Sequence, residues 1–231
     1  GPYERASLIA HYLTAHKPKS KILILDAKEK FSKQSLFTEG WNKTYPGMIE
    51  WVAGTSGGQI AKVDSKNLTV TSILDNTHKA NVLNIIPPQK AALLAQQSGL
   101  ADDTGWCPVD QKTFASKLQK GIHIIGDASI AGQMPKSGFS ANSQAKVCAF
   151  AIAAMLKEEM PAEPSYSNTC YSFVAPDYAI SVAMVYRLAN GEITGVEGAG
   201  GVSPADVDSS FRNSEAQYAR GWYASISSDT F

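Results

Sequence analysis

Nowhere does the sequence hold the roughly 18 consecutive apolar residues that a membrane-spanning helix requires, so no helical membrane span is expected. Net charge is lacking too. Twenty-one basic residues balance 21 acidic ones with no basic run or stripe, which argues against nucleic acid or anionic lipid as a partner. Cysteine is scarce and odd in number: Cys107, Cys148 and Cys170. That count excludes a closed disulfide framework within the chain, and the spacing matches no metal site, so no metal is expected. The opening "GPYERASLIAHYL" carries Glu4, Arg5 and His11 where a secretory signal would be apolar, and it has no initiator Met, so a mature or excised chain is expected. What the 231 residues do have is 44% hydrophobic content, enough for a real core in one large domain or two small ones.

Pro2 suits the first turn of a helix and Glu4 its positive end, while Ile9, Tyr12 and Leu13 supply an apolar face and the Lys17-Pro18 step ends the element. "KILILDA" then reads as a buried parallel strand ending in Asp26. Helix followed by strand is the second half of a βαβ unit whose first strand is absent, so the sequence is expected to begin inside a domain. From Trp51 to Pro88, "IEWVAG", "GQIAKVD", "LTVTSIL" and "ANVLNIIPP" predict a β-meander feeding one last buried strand. Pro87-Pro88 stops that strand and marks a crossing point between domains. A short helix, "QKAALLAQQSG", follows.

"GIHIIGDASIAG", Gly121 to Gly132, predicts a buried strand with Asp127 at its tip. Beyond Ser140 the chain reads as a strong helix, apolar at Val147, Phe150, Ala151, Ala154 and Met155 with almost no polar side before Lys157, and therefore buried. Pro161 and Pro164 mark another boundary. "TCYSFVAP" and "YAISVAMVYRLANGEITGVEG" then predict antiparallel strands with a tight turn at Asn190-Gly191, and the tail from Pro204 a polar helix ending in Trp222-Tyr223.

The order strand, Gly126-Asp127, loop, then Lys136-Ser137-Gly138 entering a helix brings two anion-handling devices together. A helix N-terminus offers unpaired N–H groups, worth roughly 0.3 to 1 kcal/mol to a nearby anion and about 2 when partly buried. A carboxylate at a strand tip accepts hydrogen bonds from a sugar alcohol. Together they suit a flavin nucleotide, with Asp127 on the ribityl or phosphate region and the helix start on the ring edge that becomes negative on reduction. Ordinary capping of a turn and a helix accounts for the same residues, and spacing alone leaves both readings open. Cys148, in the apolar helix, reads as a small core residue; Cys107, in a loop between Trp106 and Pro108, reads as structural and partly exposed. Cys170, between Thr169 and Tyr171, also reads as structural on spacing alone.

Taken together, "GPYERAS", "KPKSKILILDA", "GWCPVD", "GIHIIGDASIAGQMPKSGFSANSQAKV", "SYSNTCYSFVAP" and "WYASISSDTF" resemble the C-terminal part of the flavoprotein subunits of flavocytochrome c sulfide dehydrogenases, and the likeness spans nearly all of the chain. The resemblance implies an α/β fold, part of a two-Rossmann-domain flavoprotein: residues 1–87 as a second, degenerate nucleotide-type domain with the meander, 88–160 as the remainder of the FAD domain, and 161–231 as an α+β interface domain. It implies FAD as cofactor, held in part by Gly126, Asp127 and the Lys136-Ser137-Gly138 turn. Family members begin with a strand and a G-x-G-x-x-G turn for the adenine half of FAD, and no such string occurs here. The N-terminal FAD half is therefore expected to be missing and these residues alone to bind FAD weakly or not at all.

By the same resemblance Cys170 matches a redox-active cysteine that forms a disulfide over the flavin with a partner just upstream of "GPYE". Hydrosulfide attacks such a disulfide by thiol exchange. Glu4 matches an acidic residue near the flavin, suited to accept a proton from hydrogen sulfide or a thiol, although complementing the helix dipole accounts for it equally. Tyr3 and Trp222 are candidates to line the same pocket. The resemblance further implies sulfide as substrate, a cytochrome c subunit as electron acceptor and a periplasmic location. Two rivals stand beside it: a sulfide:quinone-type oxidoreductase, disfavoured because the C-terminal helix has few apolar residues on one face, and a non-catalytic docking or dimerisation module.

Overall fold

The computed structural model describes residues 1–231, and the fold is mixed α/β. Two compact units make it up: Gly1–Pro87, Tyr171–Ile180 and Ser203–Gly221 form the first, and Pro88–Cys170, Ser181–Val202 and Trp222–Phe231 the second.

In the first unit the order is α1 (Pro2–His16), β1 (Ile22–Leu25), α2 (Gln34–Thr44) and β2 (Ile49–Val52), and β1 and β2 pair in parallel with Ile22 opposite Ile49. The predicted parallel strand is thus present, half-buried along its length rather than fully enclosed. Three antiparallel strands follow in the order β3 (Ile60–Asp64), β4 (Thr69–Ser72) and β5 (Thr77–Lys79). "ANVLNIIPP" is not the expected last strand: the sheet ends at Lys79, and Val82 is 81% exposed. Without a ladder partner, β propensity does not make a strand.

The inward face of α1 also differs from the expected one. Tyr3, Ala6, Ser7 and Ala10 are buried, while Ile9 and Tyr12 are exposed. Polar matching accounts for the rotation. The Trp41 Nε1–H donates to Ser7 Oγ at 2.8 Å, and the Tyr3 hydroxyl donates to Asp26 Oδ2 at 2.5 Å. Tyr3 stacks on Phe31 with centroids 3.6 Å apart, and Phe37, Trp41, Tyr45 and Met48 belong to the same core, with Leu36, Val174, Tyr178 and Ile180.

The second unit contains α3 (Leu93–Gln97), β6 (Cys107–Pro108), β7 (Ser129–Ile130) and α4 (Gly138–Leu156). The predicted strand at "GIHII" is absent. Only an isolated bridge joins Ala115 to His123, Ile122 and Ile125 are exposed, and the ordered pairing lies further on, where β7 runs parallel to β6. Helix α4 buries one face, Ser140, Gln144, Cys148 and Ala151, and leaves Phe150 78% exposed. The expectation of a helix buried all round fails because the small and polar residues, not the large apolar ones, pack inward: a Cβ at Gly126 would stand 3.4 Å from that of Ala141, so only a slender face fits the turn. Cys107 is fully buried rather than partly exposed.

The chain continues as β8 (Ser165–Ala175), β9 (Tyr178–Ala189) and β10 (Glu192–Val202), a sheet of order β10-β9-β8. The predicted Asn190-Gly191 turn joins β9 to β10 with φ of 52° and 82°, the left-handed pair that matches strand twist in a two-residue hairpin. The C-terminal helix α5 (Ser209–Thr230) runs past Trp222-Tyr223 instead of ending there.

Two predictions follow from this packing. Gly132 has φ of +56°, and a Cβ there would collide with the Ile193 carbonyl oxygen and stand 2.8 Å from Gln111 Oε1. Gly132→Ala is expected to lower stability by about 2 kcal/mol or more, read as a drop in the urea midpoint; an unchanged midpoint contradicts the packing. In the first unit, burial pushes the Asp26 carboxyl up, but donors from Tyr3, the Lys28 amide and Trp51 outweigh it and hold the group below the ordinary aspartate range. A depressed folded value stabilises the fold above the unfolded value of about 3.9 and is lost as pH falls through the folded one. Asp26→Asn is therefore expected to flatten the acid limb of a stability-against-pH curve.

Candidate functional site

A cavity of about 340 Å³ opens in the second unit, walled by Trp106, the Gly126-Asp127 step, the Lys136-Ser137 turn and Gln144. Residues Gly126–Ala128 form a single 3₁₀ turn, started by Gly126 at φ of +71°, which delivers Asp127 with its carboxylate exposed. Lys136 folds back over that turn. Its ammonium donates to the Asp127 carbonyl at 2.5 Å and the Ser129 carbonyl at 3.0 Å, and lies 3.8 Å from the centroid of the Trp106 ring. Burial pushes the Lys136 ammonium below its ordinary range, opposed by the charges of Asp127 and Cys107. Lys136 is thus a strap on the loop.

Ser137 caps α4 by accepting the Ser140 amide at 3.1 Å. The amides of Gly138 and Phe139, in the first turn, have no acceptor within the helix and face the end where an anion or carbonyl is favoured. The Ser137 hydroxyl donates to Asn168 Oδ1 at 2.6 Å, and Asn168 Nδ2 donates to Cys170 Sγ at 3.3 Å. Asn168 is buried, and alternation along β8 puts its side chain on the same face as that of half-buried Cys170. The sulfur is therefore joined through one carboxamide to the wall of the cavity. Trp222 stacks on Phe139 in the first turn of α4, with ring planes 7° apart.

The structure brings Gly126, Asp127, Lys136 and Ser137 to one hollow, sets Gly138 at the start of α4, and ties Cys170 and Trp222 to that helix start through Asn168 and Phe139. Glu4 belongs to the first unit, where its Oε1 accepts the Phe173 amide at 2.7 Å. It lines an open hollow of about 470 Å³ along α1, whose other walls include Leu8, Ile9 and Tyr12 and which has few polar groups. Tyr3 is taken up by Asp26. Burial raises the thiols of Cys107 and Cys148, which suits core residues.

Trp106, Gln144 and Asn168 were not singled out by sequence. Each left a trace: a Gln four residues after Ser140 and four before Cys148 in helical register, an Asn two residues before Cys170 in strand register, and a Trp beside Cys107. The donor set fits part of a flavin nucleotide. An exposed carboxylate and a flat aromatic wall suit a polyol and a ring, the first-turn amides belong to the helix whose Ser137, Ser140 and Gln144 line the hollow, and the volume is at the low end of the roughly 300–1,000 Å³ usual for small-molecule sites.

Residues 1–87 match the family model for the sulfide dehydrogenase (flavocytochrome c) flavoprotein chain, central, and residues 162–231 that for flavocytochrome c sulphide dehydrogenase, flavin-binding. Among solved structures, the chain is similar to the sulfide:quinone oxidoreductase of the hyperthermophilic bacterium Aquifex aeolicus, at 13% identity and a TM-score of 0.62 over 94% of this chain and 53% of that one. It is also similar to a chain of the Tetrahymena thermophila mitochondrial ATP synthase, at 21% identity and a TM-score of 0.57 over 78% of this chain and 45% of that one. These two likenesses show the fold, and the chain spans about half the length of each. With both family models naming the same protein, the chain belongs to the family of flavocytochrome c sulfide dehydrogenase flavoprotein chains.

Proposed function

We propose that the chain is part of a periplasmic flavoprotein that oxidises sulfide at Cys170 and, through FAD, hands electrons to a cytochrome c subunit. The observation that carries this reading is the hydrogen-bonded run from Ser137 through Asn168 to Cys170, which joins a sulfur to the wall of a cavity with flavin-like complementarity. On this reading residues 1–87 are a degenerate nucleotide-type domain, 88–160 belong to the FAD domain and 161–231 form the cytochrome-facing part. The 231 residues alone bind FAD weakly or not at all.

Cys170 pairs in this scheme with a second cysteine of the longer protein. Hydrosulfide attacks one sulfur of that disulfide: its S–S bond breaks, a new S–S bond leaves a persulfide on one cysteine, and the other leaves as thiolate with the electron pair. Asn168 Nδ2–H is placed to donate to the Cys170 sulfur as it takes up charge. Glu4 keeps one carboxylate oxygen outside its bond to the Phe173 amide and is assigned to accept the proton released by hydrogen sulfide. Bound FAD supplies a two-electron acceptor that can release electrons singly. The amides of Gly138 and Phe139 favour negative charge on the ligand edge they face, and Asp127 accepts from its polyol.

Anaerobic sulfide titration of the full-length protein tests the proposal. Cys170→Ser is expected to retain flavin but to bleach its visible band on the order of a thousandfold more slowly; bleaching at the parent rate sinks the assignment. Glu4→Gln is expected to slow bleaching about a hundredfold, and an unaltered rate leaves Glu4 with only its amide bond.

A further inference from the structure

Gln144 is 2% exposed, in the middle of the inward face of α4 between Ser140 and Cys148. A carboxamide buried at such a position is costly unless each of its polar atoms finds a partner. One end does. Gln144 Oε1 accepts the Gly126 amide at 2.7 Å, and because that partner is a donor, the orientation of the amide group is settled. The other end does not. Nε2 carries two hydrogens, and its one partner is Met134 Sδ at 3.9 Å, a weak acceptor. The same side chain lines the cavity alongside Gly126, Asp127 and Ser140.

We propose that Gln144 is a ligand-binding residue of this cavity: it fixes the Gly126-Asp127 step through Oε1 and offers its remaining Nε2–H to a hydrogen-bond acceptor of the bound flavin. The inference rests on the flavin reading above and adds to it a contact from α4 itself, beyond the first-turn amides. Gly126 matters to the same device. At φ of +71° its amide points at Gln144, so the turn that presents Asp127 and the donor that faces the ligand are held by one side chain.

Two substitutions in the full-length protein separate the roles. Gln144→Glu at pH 8 keeps an acceptor for the Gly126 amide and removes the donor; Gln144→Leu removes both. FAD affinity is read by quenching of flavin fluorescence, with far-ultraviolet circular dichroism and the position of the visible flavin band as further readouts. The expected result is at least about tenfold weaker binding by Gln144→Glu with an unchanged dichroism spectrum and a shifted band, consistent with loss of one buried hydrogen bond. Binding by Gln144→Glu within twofold of the parent, with an unshifted band, overturns the inference and reduces Gln144 to a cap on Gly126. A parent protein that binds no FAD overturns the flavin reading and this inference with it, so the two failures are told apart by the unsubstituted sample.

Discussion

The buried carboxamide of Asn168 sets the terms for the site in the second unit. Its Oδ1 accepts the hydroxyls of Ser137 and Ser140, and its Nδ2 reaches Cys170. A desolvated amide tolerates no loose end, so the start of α4 and the sulfur on β8 are held in one arrangement. Ser137 can cap the helix while its own hydroxyl hydrogen goes to Asn168, and the first-turn amides stay open to a ligand. Without that carboxamide the cysteine and the helix end would be neighbours with no reason to keep their geometry.

The first unit shows the opposite use of a similar device. Open parallel sheets commonly receive ligands beyond the carboxyl ends of their strands. Here that end of β1 carries Asp26, whose oxygens accept from Tyr3, Trp51 and the Lys28 amide. Glu29 likewise takes both the amide and the hydroxyl of Thr55 in the loop after β2. The protein's own carboxylates take up these donors, and so tie the loops at the sheet end together.

Local chemistry was legible wherever the signal was covalent or stereochemical. The Pro2 helix start, the parallel strand after Lys21, the Asn190-Gly191 hairpin and the Ser137 cap all follow from residue type, and all are present. Orientation was not. Hydropathy marks α4 as apolar but cannot say that Ser140 and Gln144 turn inward while Phe150 faces out, because that depends on how closely the Gly126 turn approaches. "GIHII", held to Ala115 by an isolated bridge alone, and "ANVLNII" have strand composition without a continuous ladder, and pairing is a long-range property that a local window does not contain. Among site residues, the Gly-Asp and Lys-Ser-Gly motifs could be read as motifs; Asn168 and Gln144, which work through a partner, show their role only in three dimensions.

The posture of Lys136 carries one more consequence. Its ammonium is saturated by two backbone carbonyls and an indole face, so it stiffens the loop and is not available as a movable countercharge. The positive potential inside the hollow then comes from a pinned ammonium together with peptide dipoles, neither of which swings on a free stem. A guest whose own charge changes would meet the same field before and after the change, with no side chain needing to relocate.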